Sequence, residues 1–341
     1  MIVLRRGGFS VRLRARGLTV GLLAGVAAAA VALAGVGVGQ YPMSPATVVG
    51  TLAGHGTAVT YDIVVLDRLP RAVAGLLVGA AFGTAGAVLQ RTARNPLVSP
   101  DVIGINAGAS AGAVLAILGG AAAPGVTAGA LLGAALATVA VFALAHRRGF
   151  SGYRLVLVGI GVAAMLSAAA TFMLGRADVN AAYQAAVWLV GSLTGRGWGD
   201  VVPVAVAVGL LLPVALVLSR HLALLELGDD LAQVLSPRIA RTRATLLGCA
   251  VGLSALATAA AGPVGFVALV APQIVRRLLG GRGPGLLPSA AVGALVVVAT
   301  DLVARTAFAP RELPVGVLTA LVGAPVLIAL LVRANRVGAS G

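Results

Sequence analysis

The sequence predicts an all-α polytopic membrane protein of about ten transmembrane helices, and three observations carry that reading. Of 341 residues, 59% are hydrophobic and 10% charged, with a mean hydropathy of +1.03. A soluble domain carries about 25% charge, so there is too little polar sequence here for a solvated surface. Apolar runs close to the roughly 20 residues that cross a bilayer core recur along the whole chain. Hydropathy does not alternate with period two, as a transmembrane β-barrel would require.

The apolar runs cover 18–38, 69–89, 106–122, 125–145, 155–174, 201–219, 244–261, 263–279, 287–304 and 313–332. Runs three and four are separated only by Ala123 and Pro124, which predicts a tight helical hairpin. Run eight is the weakest, because GPVGFVALVAPQIVRR holds two prolines. The predicted organisation is a basic N-terminus (1–17), one transmembrane domain (18–332) and a short tail (333–341). RRGGFSVRLRAR precedes the first run, but that run is long and GVGVGQYPMSP has no small-x-small cleavage site, so it reads as an uncleaved span. GAAFG and GASAG repeat the small-xxx-small spacing that lets helix backbones approach closely.

The net charge is +15, and all 25 basic residues are arginine. Threading ten spans with the N-terminus inside leaves Arg68, Arg71, Arg176, Arg196, Arg305 and Arg311 outside and the other nineteen inside. That is the positive-inside bias, and it predicts two cytoplasmic termini. The charge thus reports topology rather than a nucleic-acid partner.

Without lysine there can be no GxxxxGK[ST] phosphate loop, so any ATP that drives this chain is bound by another subunit. Cys249 is the single cysteine, which excludes an internal disulfide, and His55, His146 and His221 lack metal-ligand spacing. No resident metal or cofactor is expected. No Ser–His–Asp set or carboxylate pair suggests an enzyme. Carboxylates inside spans mark ion-coupled transport by default. Only Asp301 lies near a span, four residues before Arg305, so the two can pair along one helix face.

Three loops carry further information. ARNPLVSPDVIG (93–104) interrupts two apolar runs with Arg94, Asn95, Pro96, Ser99, Pro100 and Asp101. Its prolines disfavour helix in the residues before them, and its short polar side chains can cap freed backbone. It reads as a broken-helix turn, either a plain capped turn or part of a substrate path. SRHLALLELGDDLAQVLSPRIARTR (219–243) is too charged to span. Leu224, Leu225, Leu227, Leu231, Val234 and Leu235 oppose Glu226, Asp229, Asp230 and Gln233, with Gly228 as punctuation, which predicts two short surface helices. An acidic rather than basic polar face favours a protein partner over lipid headgroups. Arg68, Arg71, Arg305 and Arg311 lie at outer span ends and can dock an acidic partner or snorkel at the interface. The segment 177–200 is long for a linker, and its Trp188 and Trp198 suit a membrane interface.

Four segments carry a resemblance: RLPRAVAGLLVGAAFGTAGAVLQRTARNPLVSPDVIGINAGAS (68–110), LELGDDLAQVLSPRIARTR (225–243), AGPVGFVALVAPQIVRRLLG (261–280) and ELPVGVLTALVGAPVLIALL (312–331). In these the chain resembles the FecCD-type permeases, the membrane subunits of ABC importers for ferric siderophores, haem and cobalamin. The resemblance implies a ten-helix subunit working as a homo- or heterodimer in the bacterial cytoplasmic membrane. It implies two ATPase subunits below, which bind ATP and magnesium, and a substrate-binding protein above. It places ATPase contact at 225–243, including Leu225, Glu226, Leu227, Gly228, Asp229, Asp230 and Leu231. It places binding-protein docking at Arg68, Arg71 and Arg305, and an inner gate at Ser151, Gly152 and Tyr153. The family commonly carries His where this chain has Gln273, which removes a titratable group. Ferric siderophore is the expected cargo, with haem or cobalamin the alternatives within the family. An ion-coupled secondary transporter is the distant alternative.

Overall fold

The structure, a computed structural model, describes residues 2–6, 9–13, 15–39, 41–145, 152–280, 285–307 and 311–338. A two-stranded antiparallel hairpin, β1 (Ile2–Arg6) and β2 (Phe9–Leu13), precedes the bundle. Helix α1 is Ala15–Gly37, followed by the short α2 (Pro45–Leu52) and α3 (Ala58–Tyr61). A π-helical segment, Asp62–Arg68, runs without a break into α4 (Leu69–Thr92). Then come α5 (Ile105–Leu118), α6 (Ala123–Ala145), α7 (Gly152–Arg176) and α8 (Val179–Leu189). The rest comprises α9 (Trp198–Glu226), α10 (Asp229–Leu235), α11 (Ile239–Ala261), α12 (Val267–Leu278), α13 (Leu286–Thr306) and α14 (Val315–Gly338).

Seven of these stretches are long and apolar enough to cross a membrane. The shorter α5 and α12, and α14, occupy the places of the third, eighth and tenth predicted spans. Helix α4 is the hub and packs against α13, α11, α9 and α12. Its span window is 72% buried, against 17% for α7. The central position follows from composition, because small residues let four neighbours approach one helix. A Cβ at Gly79 would lie 2.3 Å from the Gly293 carbonyl oxygen, and one at Gly83 would lie 2.1 Å from that of Ser289. These are the glycines of GAAFG. Those of GASAG do the same for the α5–α6 hairpin, where a Cβ at Gly112 would meet the Gly129 carbonyl oxygen at 2.1 Å.

Two differences from the sequence expectation shape the site. The segment 219–243 does not form two separate surface helices: its first part is the last two turns of α9, and only α10 is a short independent helix. Backbone propensity explains this, since Gly228, at φ 105°, is the first position that an L side chain would resist. The linker 177–200 also holds an unforeseen helix, α8, whose N-terminus is fixed by Asp178 Oδ1 accepting the Asn180 and Ala181 N–H groups at 3.0 Å each.

A polar seam and two charged ends form the candidate site

At one end of the bundle α4 closes in a Schellman motif. Arg94 takes the left-handed position at φ 53°, its N–H bonds the Arg91 carbonyl at 3.2 Å, and the Asn95 N–H bonds the Gln90 carbonyl at 3.0 Å. Asn95 Oδ1 then accepts the Leu97 N–H at 3.0 Å, and buried Ser99 accepts the Val102 N–H at 3.4 Å. The Pro100 carbonyl takes the Ile105 N–H at 3.0 Å, so the turn feeds directly into α5. The polar residues of ARNPLVSPDVIG therefore satisfy its own backbone.

The turn is also tied across the bundle. Asp101 Oδ2 accepts the Phe266 N–H at 3.4 Å, and Oδ1 accepts Asn106 Nδ2. Thr258 Oγ lies 3.0 Å from Asn106 Oδ1. Gln273 Nε2 donates to the Pro96 carbonyl at 3.3 Å and also to Gln90 Oε1, while Gln90 Nε2 donates to the Leu269 carbonyl at 3.1 Å. Phe266 immediately precedes α12, whose other end carries Arg276 and Arg277. Twelve helical residues rise about 18 Å, so the partner of Asp101 lies roughly halfway through a bilayer core of about 30 Å. Non-helical backbone is tolerated at that depth only when protein satisfies it, and this seam does so. Gln273 takes part through its amide, a bonding pattern that does not call for a titratable ring.

The segment expected to contact an ATPase, 225–243, meets the same turn. Glu226 pairs with Arg91 at 2.7 Å. A Cβ at Gly228 would lie 3.5 Å from Arg94 Nη1. Leu225 faces inward at 1% exposure, whereas Leu227 and Leu231 are 54% and 56% exposed. Asp229 pairs with Arg243 on α11; the Asp230 side chain lies outside the described residues. Of the expected gate, Ser151 lies outside the described residues and Tyr153 is exposed. Gly152 packs its α-carbon against the turn, where a Cβ would sit 2.2 Å from the Ala93 carbonyl oxygen.

At the opposite end the expected docking arginines face inward. Arg68 donates to the Val36 carbonyl at 3.0 Å and to that of Tyr41 at 2.8 Å. Arg71 bonds Asp301 at 2.9 Å and Glu312 at 2.8 Å. Arg305 bonds the Gly35 carbonyl at 3.1 Å and lies 3.3 Å from Asp301. The anticipated Asp301–Arg305 pair is present, but the shorter contact of Asp301 is to Arg71. Burial pushes the Glu312 carboxyl up, yet the hydrogen bond and charge of Arg71 more than offset this and hold it below its ordinary value. Arg311 is exposed at this end.

Gln90, Asn106 and Glu312 were missed as site residues, and Asp101 was read only as a cap. Apart from Asp101, which lies close to Asn106 in sequence, their side-chain partners are distant: Glu312 bonds Thr194 and Arg71, 118 and 241 positions away. Among the described residues, no group of three or more His, Cys, Asp or Glu side chains is placed to hold a metal ion.

A helical bundle with interrupted spans, a polar seam that holds them and an exposed apolar face at one end matches the architecture of a membrane permease subunit of the ABC transporter type. The chain belongs to the FecCD transport family, which it matches over residues 23–333. It is 41% identical over 299 residues to the ferric enterobactin transport system permease protein FepG of Escherichia coli (strain K12), covering 87% of this chain and 91% of that one. It is 38% identical over 340 residues to the achromobactin transport system permease protein CbrC of Dickeya dadantii (strain 3937), covering 98% and 97%. A solved structure described as a metal-chelate type ABC transporter in an inward-facing conformation superposes with a TM-score of 0.83 at 28% identity, over 93% of this chain and 99% of that one.

Proposed function

We propose that this chain is the permease subunit of an ATP-driven importer that carries ferric siderophores across the bacterial cytoplasmic membrane, with both termini in the cytoplasm. Its similarity to permeases named for ferric enterobactin and achromobactin supports the cargo. The single observation that carries the mechanism is the junction of the coupling segment with the turn at Arg91–Glu226. An ATPase subunit seated on Leu227, Leu231 and α10 would move the end of α9, and through that junction the C-terminus of α4 and the turn 93–104. Gly152, packed on Ala93, would carry the movement to α7 and the gate. ATP and magnesium are held by the ATPase subunit, and a second permease subunit completes the path.

In this reading an extracytoplasmic binding protein docks at the end bearing Arg68, Arg71 and Arg305. Their guanidiniums already bond inside the chain, so docking carboxylates would exchange with Glu312, the most exposed acidic partner of Arg71. Exposed Arg311 offers first contact.

The test is uptake by cells with this chain deleted and restored, offered labelled ferric siderophores, haem and cobalamin in parallel. Selective loss of a ferric siderophore, rescued by the intact chain and not by Leu227→Asp/Leu231→Asp, is expected. Loss of haem or cobalamin uptake would overturn the cargo, and rescue by the double variant would overturn ATPase coupling, as an ion-coupled transporter would require.

A further inference from the structure

A cavity of about 330 Å³ opens beside the coupling segment, between the C-terminal ends of α4, α9 and α12 and the start of α13. Three arginines line it, Arg91, Arg94 and Arg276, against one acid, Glu226. Glu226 is engaged with Arg91 at 2.7 Å, so the lining retains an excess of two positive charges. Asn95 and Ser289 add a side-chain amide and a hydroxyl. Gly285 caps α13 and Ser289 lies in its first turn, and the N-terminal end of that helix contributes a further partial positive charge. On the other side Pro272, Val275 and Leu279 form an apolar wall.

We propose that this cavity is a phosphate-binding seat. Guanidinium groups present parallel N–H donors that match phosphate oxygens. Arg94 holds a left-handed backbone that costs a non-glycine residue about 1–2 kcal/mol, and its guanidinium lies beside Gly228, 3.5 Å from where a Cβ there would sit. The seat lies at the end that the arginine distribution assigns to the cytoplasm, where basic pockets between transmembrane helices receive anionic lipid headgroups. The same chemistry accepts a soluble phosphate. Neither source depends on the cargo proposed above.

Two arms separate the sources. The purified full chain is placed in nanodiscs containing phosphatidylglycerol or phosphatidylcholine, and retained lipid is counted by native mass spectrometry. In parallel, the detergent-solubilised chain is titrated with pyrophosphate and its thermal midpoint followed. The variant is Arg94→Asn/Arg276→Gln, since asparagine tolerates the left-handed backbone and both arginines are exposed. Arg277→Gln, next to Arg276 but outside the lining, is the single-charge control. Retention of phosphatidylglycerol at least tenfold above phosphatidylcholine, cut at least tenfold in the double variant and unchanged in the control, is expected and assigns a lipid headgroup. Stabilisation by pyrophosphate that the double variant alone abolishes, without lipid preference, assigns a soluble phosphate. Equal loss in the control, or no dependence of either probe on Arg94 and Arg276, would overturn the proposal.

Discussion

Arg71 and Asp301, 230 positions apart in sequence, are joined by two hydrogen bonds, with Nε and Nη2 at 3.1 and 2.9 Å from the same Oδ1. Both side chains are under one-tenth exposed, so α4 and α13 are locked at the end opposite the turn 93–104. Removing one member of a buried pair costs about 3–5 kcal/mol because the other charge is left uncompensated. Asp301→Leu is therefore expected to lower the thermal midpoint sharply, and Arg71→Met/Asp301→Leu to lose less than Asp301→Leu alone. A loss in the double variant equal to the sum of the losses of Arg71→Met and Asp301→Leu would show that the two residues are not energetically coupled.

Glu312 joins the same cluster from the loop before α14, and its depressed carboxyl sets a pH dependence. A group whose folded value lies below its unfolded value contributes stability that is fully present above the ordinary carboxyl range, about 4.3. That contribution is lost as pH falls through the lower, folded value. Glu312→Gln should leave an acid-side stability profile that is flatter than the wild type between about pH 5 and pH 3. A profile that is parallel to the wild type throughout would remove Glu312 from the acid transition.

Asp101 holds two elements at once, the Phe266 N–H on one oxygen and Asn106 on the other. Asp101→Ala strands both donors inside the bundle, at about 1–3 kcal/mol for a buried unsatisfied group. Asp101→Asn keeps an oxygen for one of them but turns an amide donor towards the other, so an intermediate loss is expected. Chemical denaturation of the three chains ranks them; an alanine variant as stable as wild type would mean that water replaces the carboxylate.

The long apolar spans were legible because bilayer thickness alone sets their length, and the observed α6, α7 and α13 fall within a few residues of the expected runs. The shorter α5 and α12 also fall on the expected runs, α5 ending early at Leu118 and α12 starting late at Val267; what hydropathy cannot see is the set of partners that Asp101, Gln90 and Gln273 bond at the breaks between them. The end of α9 was misread: charge suggested a separate short surface helix, but Leu222 and Leu225 pack inward and continue α9. Arg68, Arg71 and Arg305 do lie together at one end of the bundle, while their inward orientation depends on carbonyls of α1 and on Asp301, which only the packed bundle brings together.

The α4–α13 crossing yields a direct contrast between glycines. At Gly79 a Cβ would collide with backbone, at 2.3 Å from the Gly293 carbonyl oxygen, and neither helix can yield without moving the hub. At Gly248 on α11 nothing lies within 4 Å. Gly79→Ala should destabilise by about 1–3 kcal/mol, as overpacking does. Gly248→Ala should be neutral or stabilising by about 1 kcal/mol, from helix propensity. Thermal midpoints that move alike would mean that α4 and α13 are farther apart than this packing requires.

Leu225 and Leu227 stand two positions apart at the end of α9, yet one is 1% exposed and the other 54%. An aspartate at Leu225 would bury a charge in the core, whereas Leu227→Asp, paired with Leu231→Asp, alters only surface. The buried variant should therefore fail to accumulate, while the surface variant should fold with an unchanged thermal midpoint. Its defect should appear only when the ATPase subunit is present, as lost co-purification or as ATP hydrolysis that no longer responds to loaded binding protein. Because fold and coupling are read separately, a surface variant that folds, binds its ATPase and transports normally would show that the exposed leucines are not the coupling face. The junction at Arg91–Glu226 would then have to receive its movement from another part of the cytoplasmic end.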